Sequence, residues 1–295
     1  MYAFEFGDLR LIIQGETLIK GDRFAATFYR PPDQLSPDFS EIIFTGQIYS
    51  LNGLKALQPL QANNMYELFQ TDRGLFLAFH WVRLRFAYGF FLEELSSQVG
   101  VTVYFDPSLV NELPLTLGRF LSTVGLHSIL LRHKAPILHA SYINYNDHAL
   151  VFTAPSGVGK STQAGLWAQY ADTEIINGDR ALLRRRGSTW HAFGYPCCGS
   201  SNICLDRTLP LSAIVILSQG SENRIEQLSI SEKTRALFSG IEHYLWDETE
   251  TELAFTLAQS LAQETEIVRL VCRPDKGAVD ILRKYLDDRR NFLDY

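Results

Sequence analysis

The stretch that most constrains this chain runs Ala154-Pro155-Ser156-Gly157-Val158-Gly159-Lys160-Ser161. A short apolar run, Ala149-Leu150-Val151-Phe152-Thr153, precedes it, and Thr162-Gln163-Ala164-Gly165-Leu166-Trp167 follows with helical character. Strand, glycine-rich turn, Lys-Ser and helix, in that order, form the layout of a phosphate-binding loop. Gly157 and Gly159 let the backbone curl until its N–H groups point inward. The helix start adds unpaired N–H groups and the positive end of its dipole. Lys160 can reach β- and γ-phosphates, and the Ser161 hydroxyl can ligate Mg2+. The expected nucleotide contacts are therefore Pro155, Ser156, Gly157, Val158, Gly159, Lys160, Ser161 and Thr162. The first glycine of the usual pattern is Ala154 here, and Ala disfavours positive φ, so a different conformation is expected at that corner. The plain alternative is a strand–helix turn that binds nothing.

A chain of 295 residues allows one large or two modest domains with a sizeable core. Apolar content of 46% and charged content of 20% are those of a globular protein. A net charge of −6 argues against a general nucleic-acid binder, which needs a basic surface. The most apolar window, Gly74 to Phe91, carries His80, Arg83 and Arg85 and alternates, so it reads as a strand and not a membrane span. The N-terminus lacks the basic start and apolar run of a signal peptide, which makes the cytoplasm the expected location. Cys197, Cys198, Cys204 and Cys272 do not follow a zinc spacing and are expected as free thiols.

Residues 1–112 read as β-rich, a supporting or substrate-docking domain. The expected strands are Tyr2–Phe6, Arg10–Ile13, Ala25–Tyr29, Glu41–Tyr49, Tyr66–Gln70, Gly74–Phe86 and Val101–Phe105, with a helix near Leu92–Gln98. His80 and Trp81 read as strand residues of core and rim. Residues 113–295 form the nucleotide-binding domain, which makes the chain α/β. Within it Leu115–Leu131 reads as one buried helix. Ile137–Ile143 and His148–Phe152 read as a hairpin joined at Asn144–Asp147. His139 lies on the first of these strands. Thr173–Asn177 is a short strand ending in Gly178-Asp179, where a Mg2+-holding carboxylate belongs. Arg180 can meet a phosphate; Arg184, Arg185 and Arg186 read as a solvated strand. The small-residue loop Gly194–Asn202, with Gly199, Ser200 and Ser201, can offer donors to a substrate, and Arg207 follows. A helix capped by Ser231 is expected next, then a helix over Glu250–Glu264, a strand over Ile267–Cys272 and a terminal helix over Asp275–Tyr285, with a solvated tail at Asp287-Asp288-Arg289-Arg290.

His139-Ala140-Ser141, Pro155–Thr162 and Ile175-Ile176-Asn177-Gly178-Asp179 together resemble the HPr kinase/phosphorylase and ATP-dependent phosphoenolpyruvate carboxykinase superfamily. Cys272-Arg273-Pro274-Asp275 adds a likeness to HPr-kinase-like proteins of peptide-modification cassettes, lasso-peptide kinases among them. The likeness covers roughly residues 115–285. It implies a β-rich N-terminal domain followed by an HPr-kinase-type P-loop domain. It implies His139 beside the transferred phosphate, Lys160 and Ser161 on the nucleotide and Mg2+, and Asp179 as base or metal ligand. Gly178 stands where the family has the first Asp of a pair, and the Glu-x-Arg-Gly stretch used in phosphorolysis is missing.

The expected activity is transfer of the γ-phosphoryl group of ATP, with Mg2+, to a hydroxyl of a peptide side chain or small metabolite. Lys160, His139 and Asp179 are the catalytic candidates. Ser161 and Asp179 are the metal candidates. Arg180, Gly199, Ser200, Ser201 and Arg207 are the substrate candidates. The alternative is a nucleotide-binding accessory protein with little catalysis, which the missing Asp at Gly178 motivates. A carboxykinase would need an oxaloacetate-binding arginine pattern that is not found. Oligomeric state is open, a homo-oligomer included.

Overall fold

Side chains that alternate between apolar and polar bury one face of a strand, and this pattern organises the first part of the chain. The structure, a computed structural model, describes residues 2–16, 19–20, 26–82, 85–96, 100–109, 115–197 and 199–293. It divides into two compact units, Met1–Arg132 and His133–Tyr295.

The first unit contains β1 (Tyr2–Phe6), β2 (Leu9–Gly15), β3 (Ile19–Lys20), β4 (Ser40–Ile48), β5 (Gln61–Ala62), β6 (Tyr66–Thr71), β7 (Gly74–Val82), β8 (Arg85–Phe91), the short helix α1 (Leu92–Ser96), β9 (Gly100–Phe105) and β10 (Leu115–Thr116). Among the described residues the main sheet has the order β1-β2-β4-β9-β8-β7-β6-β5. It is parallel at β2–β4 and β4–β9 and antiparallel elsewhere. Ile42 and Phe44 of β4, and Val101, Val103 and Phe105 of β9, are buried at every second position.

Three expectations for this unit change. Gly74–Phe86 is not one strand but the start of the hairpin β7–β8, with residues 83–84 outside the described set. The described part of Ala25–Tyr29 forms no strand. It bonds to β1 through Glu5 N–H to Phe28 and Arg30 N–H to Ala3, while the turn from Ala26 to Tyr29 stops a ladder from extending. The apolar run Leu115–Leu131 is not one helix either. After β10 it forms α2 (Leu117–Thr123) and α3 (Leu126–Arg132), broken at Gly125, whose φ of 73° no helix interior allows. These helices belong to the first unit, which moves the boundary from 112/113 to 132/133. The reason is packing: the Phe120 ring sits 5.9 Å from Phe44, 5.3 Å from Tyr88 and 5.9 Å from Phe105. The side chain of Trp81 lies outside the described set; the His80 ring stacks on Phe86 and lies 3.2 Å from Glu67.

The second unit contains β11 (Ile137–Tyr145), β12 (His148–Thr153), α4 (Lys160–Ala171), β13 (Glu174–Asn177), β14 (Arg180–Arg186), β15 (Thr189–Phe193), β16 (Thr208–Gln219), β17 (Arg224–Gln227), α5 (Ile230–Gly240), α6 (Glu248–Glu264), β18 (Ile267–Cys272) and α7 (Lys276–Leu293). The hairpin β11–β12 turns at Asn146-Asp147, both at left-handed φ, the conformation that matches the twist of paired strands. β12 then pairs parallel with β16, and β16 parallel with β18. Leu150, Val151 and Phe152 are all buried, the continuous apolar run of a strand covered on both faces. One cover is a core in which Ala164 and Trp167 of α4, and Val279 and Leu282 of α7, meet Phe152, Val215, Leu217, Val268 and Leu270.

Two helix ends differ from expectation. α5 is capped by Ser229, not Ser231, because Ser229 and Glu232 form a reciprocal capping box. The charged tail continues α7, with Arg289 on Glu266 at 2.9 Å and Asp287 accepting from the Tyr145 hydroxyl at 2.8 Å. Among the described residues no helix is long and apolar enough to cross a membrane.

Candidate functional site

β12 delivers the chain into the loop 154–159, exposed at Pro155, Ser156 and Gly157 and half-buried at its ends, and α4 starts at Lys160. Gly157 and Gly159 have φ of 81° and 123°; a Cβ at Gly157 would meet open space and one at Gly159 only an ordinary contact with Thr162 at 3.9 Å, so it is the backbone conformation that requires glycine. Gly159 caps α4 without a side-chain hydrogen bond, and the first-turn N–H groups have no partner within the helix. Ala154 does not adopt a left-handed φ, so Ala is compatible with that corner. Its carbonyl accepts from the Lys160 ammonium at 3.0 Å, and that of Pro155 does so at 3.5 Å. Lys160 is only 7% exposed. Burial lowers its pKa, and the charge of Asp179 works in the opposite direction. Ser161 and Thr162 are exposed on the first turn of α4.

The second component is a corner in the neighbouring ladder. β11 pairs antiparallel with β13 over one half and with β14 over the other, so these two form one partner strand interrupted at Gly178-Asp179. Asn177, fully buried, fixes the interruption. Its Oδ1 accepts from the N–H groups of Asp179 and Arg180 at 3.0 Å each. Its Nδ2 donates to the carbonyls of Tyr195 and Cys197 at 3.1 Å each. Asp179 is thereby turned toward His139, whose Nε2 lies 3.4 Å from Oδ1. Arg180 Nη1 lies 3.2 Å from Asp179 Oδ2, and Arg180 Nε donates to Glu242 at 2.6 Å. A hydrogen bond from His139 holds the Asp179 carboxyl below the usual carboxylate range. The charges of Arg180 and Lys160 act the same way, against the opposing effect of burial. Burial acts to lower the Arg180 pKa, but Glu242, with Cys197 and Tyr195, more than offsets it, so Arg180 stays a cation.

The two components meet at Gly178. Its carbonyl accepts from the Ser161 hydroxyl at 3.3 Å and from the buried Ser141 hydroxyl at 2.7 Å. A Cβ at residue 178 would lie 2.3 Å from both Cβ and Oγ of Ser201, so Ser201 fills the volume an Asp side chain would need. Gly199, at φ 53°, is equally close: its Cβ would stand 2.6 Å from Cγ of Asp179. The backbone of Ser200 belongs to the same 3-10 turn, Gly199–Ser201, while its side chain and all of Cys198 lie outside the described set. The structure thus brings His139, Lys160, Ser161, Asp179, Arg180, Gly199 and Ser201 around one backbone corner. It does not bring Arg207 there. Arg207 is exposed and lies 3.7 Å from Glu174, at the opposite end of β13 from Asp179.

Sequence reasoning missed Asn177, Ser141 and Glu242. Asn177 had a local signal, an Asn two residues before Asp179 in a turn-forming Asn-Gly-Asp, the spacing of an Asx turn. Glu242 had none, since it is 62 residues from its partner. Among the described residues no three His, Cys, Asp or Glu side chains gather as a metal site. Mg2+ on a nucleotide needs only one or two protein ligands, because it keeps waters and takes phosphate oxygens. A hydroxyl at Ser161 and an ionised carboxylate at Asp179, flanking Gly178, suit that need. Among the described residues Cys197, Cys204 and Cys272 form no disulfide.

No family model matches the chain, and no curated protein matches it. Among solved structures it is similar to the Hpr(Ser) kinase/phosphatase from Coxiella burnetii, at 7% identity and a TM-score of 0.33, over 54% of this chain and 99% of that one. A likeness that loose supports no transfer of residues or roles.

Gly178→Ala is expected to destabilise the chain by about 1–3 kcal/mol, the usual range for overpacking. In urea unfolding, Ser201→Gly should recover most of that loss; additive effects of the two substitutions would show that Ser201 does not set the limit. Asp179, with its folded pKa depressed, contributes stability above the unfolded carboxylate pKa of about 4, which disappears as pH falls through the lower folded value. The stability gap between the parent chain and Asp179→Asn should therefore be full at pH 7 and shrink in acid. A gap independent of pH would contradict the charged arrangement.

Proposed function

We propose that this chain is a nucleotide-dependent phosphotransferase that moves the γ-phosphoryl group of ATP to a hydroxyl of a peptide side chain or small metabolite. The observation that carries the proposal is the meeting at Gly178. A glycine-rich loop with a buried lysine and a helix-start hydroxyl stands on one side, and an ionised carboxylate paired with a histidine on the other.

Phosphoryl transfer asks a protein mostly for positioning and charge neutralisation. The N–H groups of residues 157–161 and the α4 dipole favour an anion at the loop. Lys160 holds a cation against loop carbonyls in a site that penalises its charge, so a polyphosphate would relieve that penalty. The Ser161 hydroxyl and the Asp179 carboxylate would hold Mg2+, whose charge would offset that of the phosphates. The His139–Asp179 pair takes the proton of the attacking hydroxyl. Arg180 is engaged by Asp179 and Glu242, so its role is to orient Asp179. The turn Gly199–Ser201 borders Asp179 and forms the wall against which an acceptor hydroxyl would lie.

With Mg-ATP and a pool of serine- and threonine-containing peptides, the parent chain should release ADP and add one phosphate to a peptide, read by mass spectrometry. Lys160→Ala should lower that rate on the order of 10²-fold or more while circular dichroism stays unchanged. Undiminished transfer by Lys160→Ala would contradict the proposal. Tight ATP binding without transfer to any peptide or metabolite would favour the accessory-protein alternative.

A further inference from the structure

Three serine hydroxyls converge on the Gly178 corner, and their environments differ. Ser141 is fully buried and donates to the Gly178 carbonyl. Ser161 donates to the same carbonyl from the start of α4. Ser201 reaches the corner from another segment, the turn Gly199–Ser201, and is half-buried. Its Cβ and Oγ occupy the volume beside Gly178 that a side chain there would fill. The same turn lies against Asp179 through Gly199, whose Cβ would stand 2.8 Å from Asp179 Oδ2.

The turn is also held in place. Asn177 Nδ2 ties the carbonyls of Tyr195 and Cys197, the Gly178 N–H reaches the Ile203 carbonyl, and the Leu205 N–H reaches the Ile176 carbonyl. Ile203 N–H donates to Ser201 Oγ at 3.3 Å, which orients the hydroxyl oxygen. A primary hydroxyl is therefore fixed by the chain's own backbone on the wall where an acceptor would lie, against the residue that precedes Asp179. Such tethering replaces a bimolecular encounter with an intramolecular one.

We propose that Ser201 is a self-acceptor, phosphorylated within the same chain from the nucleoside triphosphate bound at the loop 154–161. This rests on the function proposed above. The Ser201 oxygen forms a bond to the γ-phosphorus, and the bond from that phosphorus to the β–γ bridging oxygen breaks. The nucleoside diphosphate leaves with that electron pair, and the hydroxyl proton passes to the His139–Asp179 pair. The product carries close to two negative charges beside the Asp179 carboxylate, in a volume already filled against Gly178. Like-charge repulsion and crowding then push the turn off the corner, so the modification stops at one phosphate per chain and clears the acceptor wall.

The test incubates the full chain with Mg-ATP, measures nucleotide binding by calorimetry, and maps phosphate by tandem mass spectrometry. The expected result is one added phosphate on Ser201, formed at a first-order rate that does not change over a tenfold range of protein concentration. Ser201→Ala should lose it and Ser201→Thr should retain it. Phosphate on another residue, a rate proportional to protein concentration, or ATP binding with Ser201 unmodified overturns the self-acceptor role and leaves the nucleotide reading standing. Failure to bind Mg-ATP overturns both.

Discussion

The buried carboxamide of Asn177 is the constraint on which the rest of the site depends. Four hydrogen bonds, two accepted and two donated, use its full polar capacity inside the protein. They break one antiparallel strand into β13 and β14 and hold the break open at Gly178-Asp179. They also tie the 195–197 segment, and with it the following turn, against the same corner. An unsatisfied amide at this depth costs roughly 1–3 kcal/mol per orphaned group, so replacing Asn177 would release both the strand break and the loop together. Asp179 owes its position to this side chain, and the turn Gly199–Ser201 is kept beside Asp179 by it.

Charge follows from that backbone arrangement. His139 lies opposite Arg180 in the β11–β14 ladder, so turning Asp179 out of the strand places its carboxylate between an imidazole and a guanidinium. Glu242 takes the other side of Arg180 and fixes its charge. Lys160, buried at the start of α4, approaches from a different element and feels the charge of Asp179. The outcome is a carboxylate kept ionised next to a cation that has carbonyls but no close carboxylate of its own on the loop. That is an arrangement suited to an anionic ligand bearing a divalent cation.

Much of this was legible in the sequence, for physical reasons that differ by element. Strand, glycine turn, Lys-Ser and helix are local signals, and loop and helix stand where the sequence puts them. Asp179 and His139 could be named because each ends or lies on a short apolar run next to that loop. The exchange of Asp for glycine at 178 could be seen but not explained, since Ser201, which takes the space, is 23 positions away in sequence. Arg207 follows the substrate loop in sequence, but it lies beside Glu174 at the far end of β13. In the first unit, apolar periodicity could not see the break at Gly125 inside Leu115–Leu131. Nor could it see that Gly74–Phe86 folds back on itself, because no Gly, Pro, Asn or Asp between Leu75 and Phe86 signals a turn. Ser231 has the residue type of an N-cap, but only Ser229 has a Glu three residues on, the pattern of the capping box that forms.

The central claim is that the loop 154–161 binds nucleotide phosphates, and hydrogen–deuterium exchange with and without Mg-ATP tests it most directly. Binding should slow exchange at the amides of Gly157, Val158, Gly159, Lys160 and Ser161, with smaller protection at Asp179. Unchanged exchange across those residues at saturating Mg-ATP, or protection confined to another part of the chain, would contradict it.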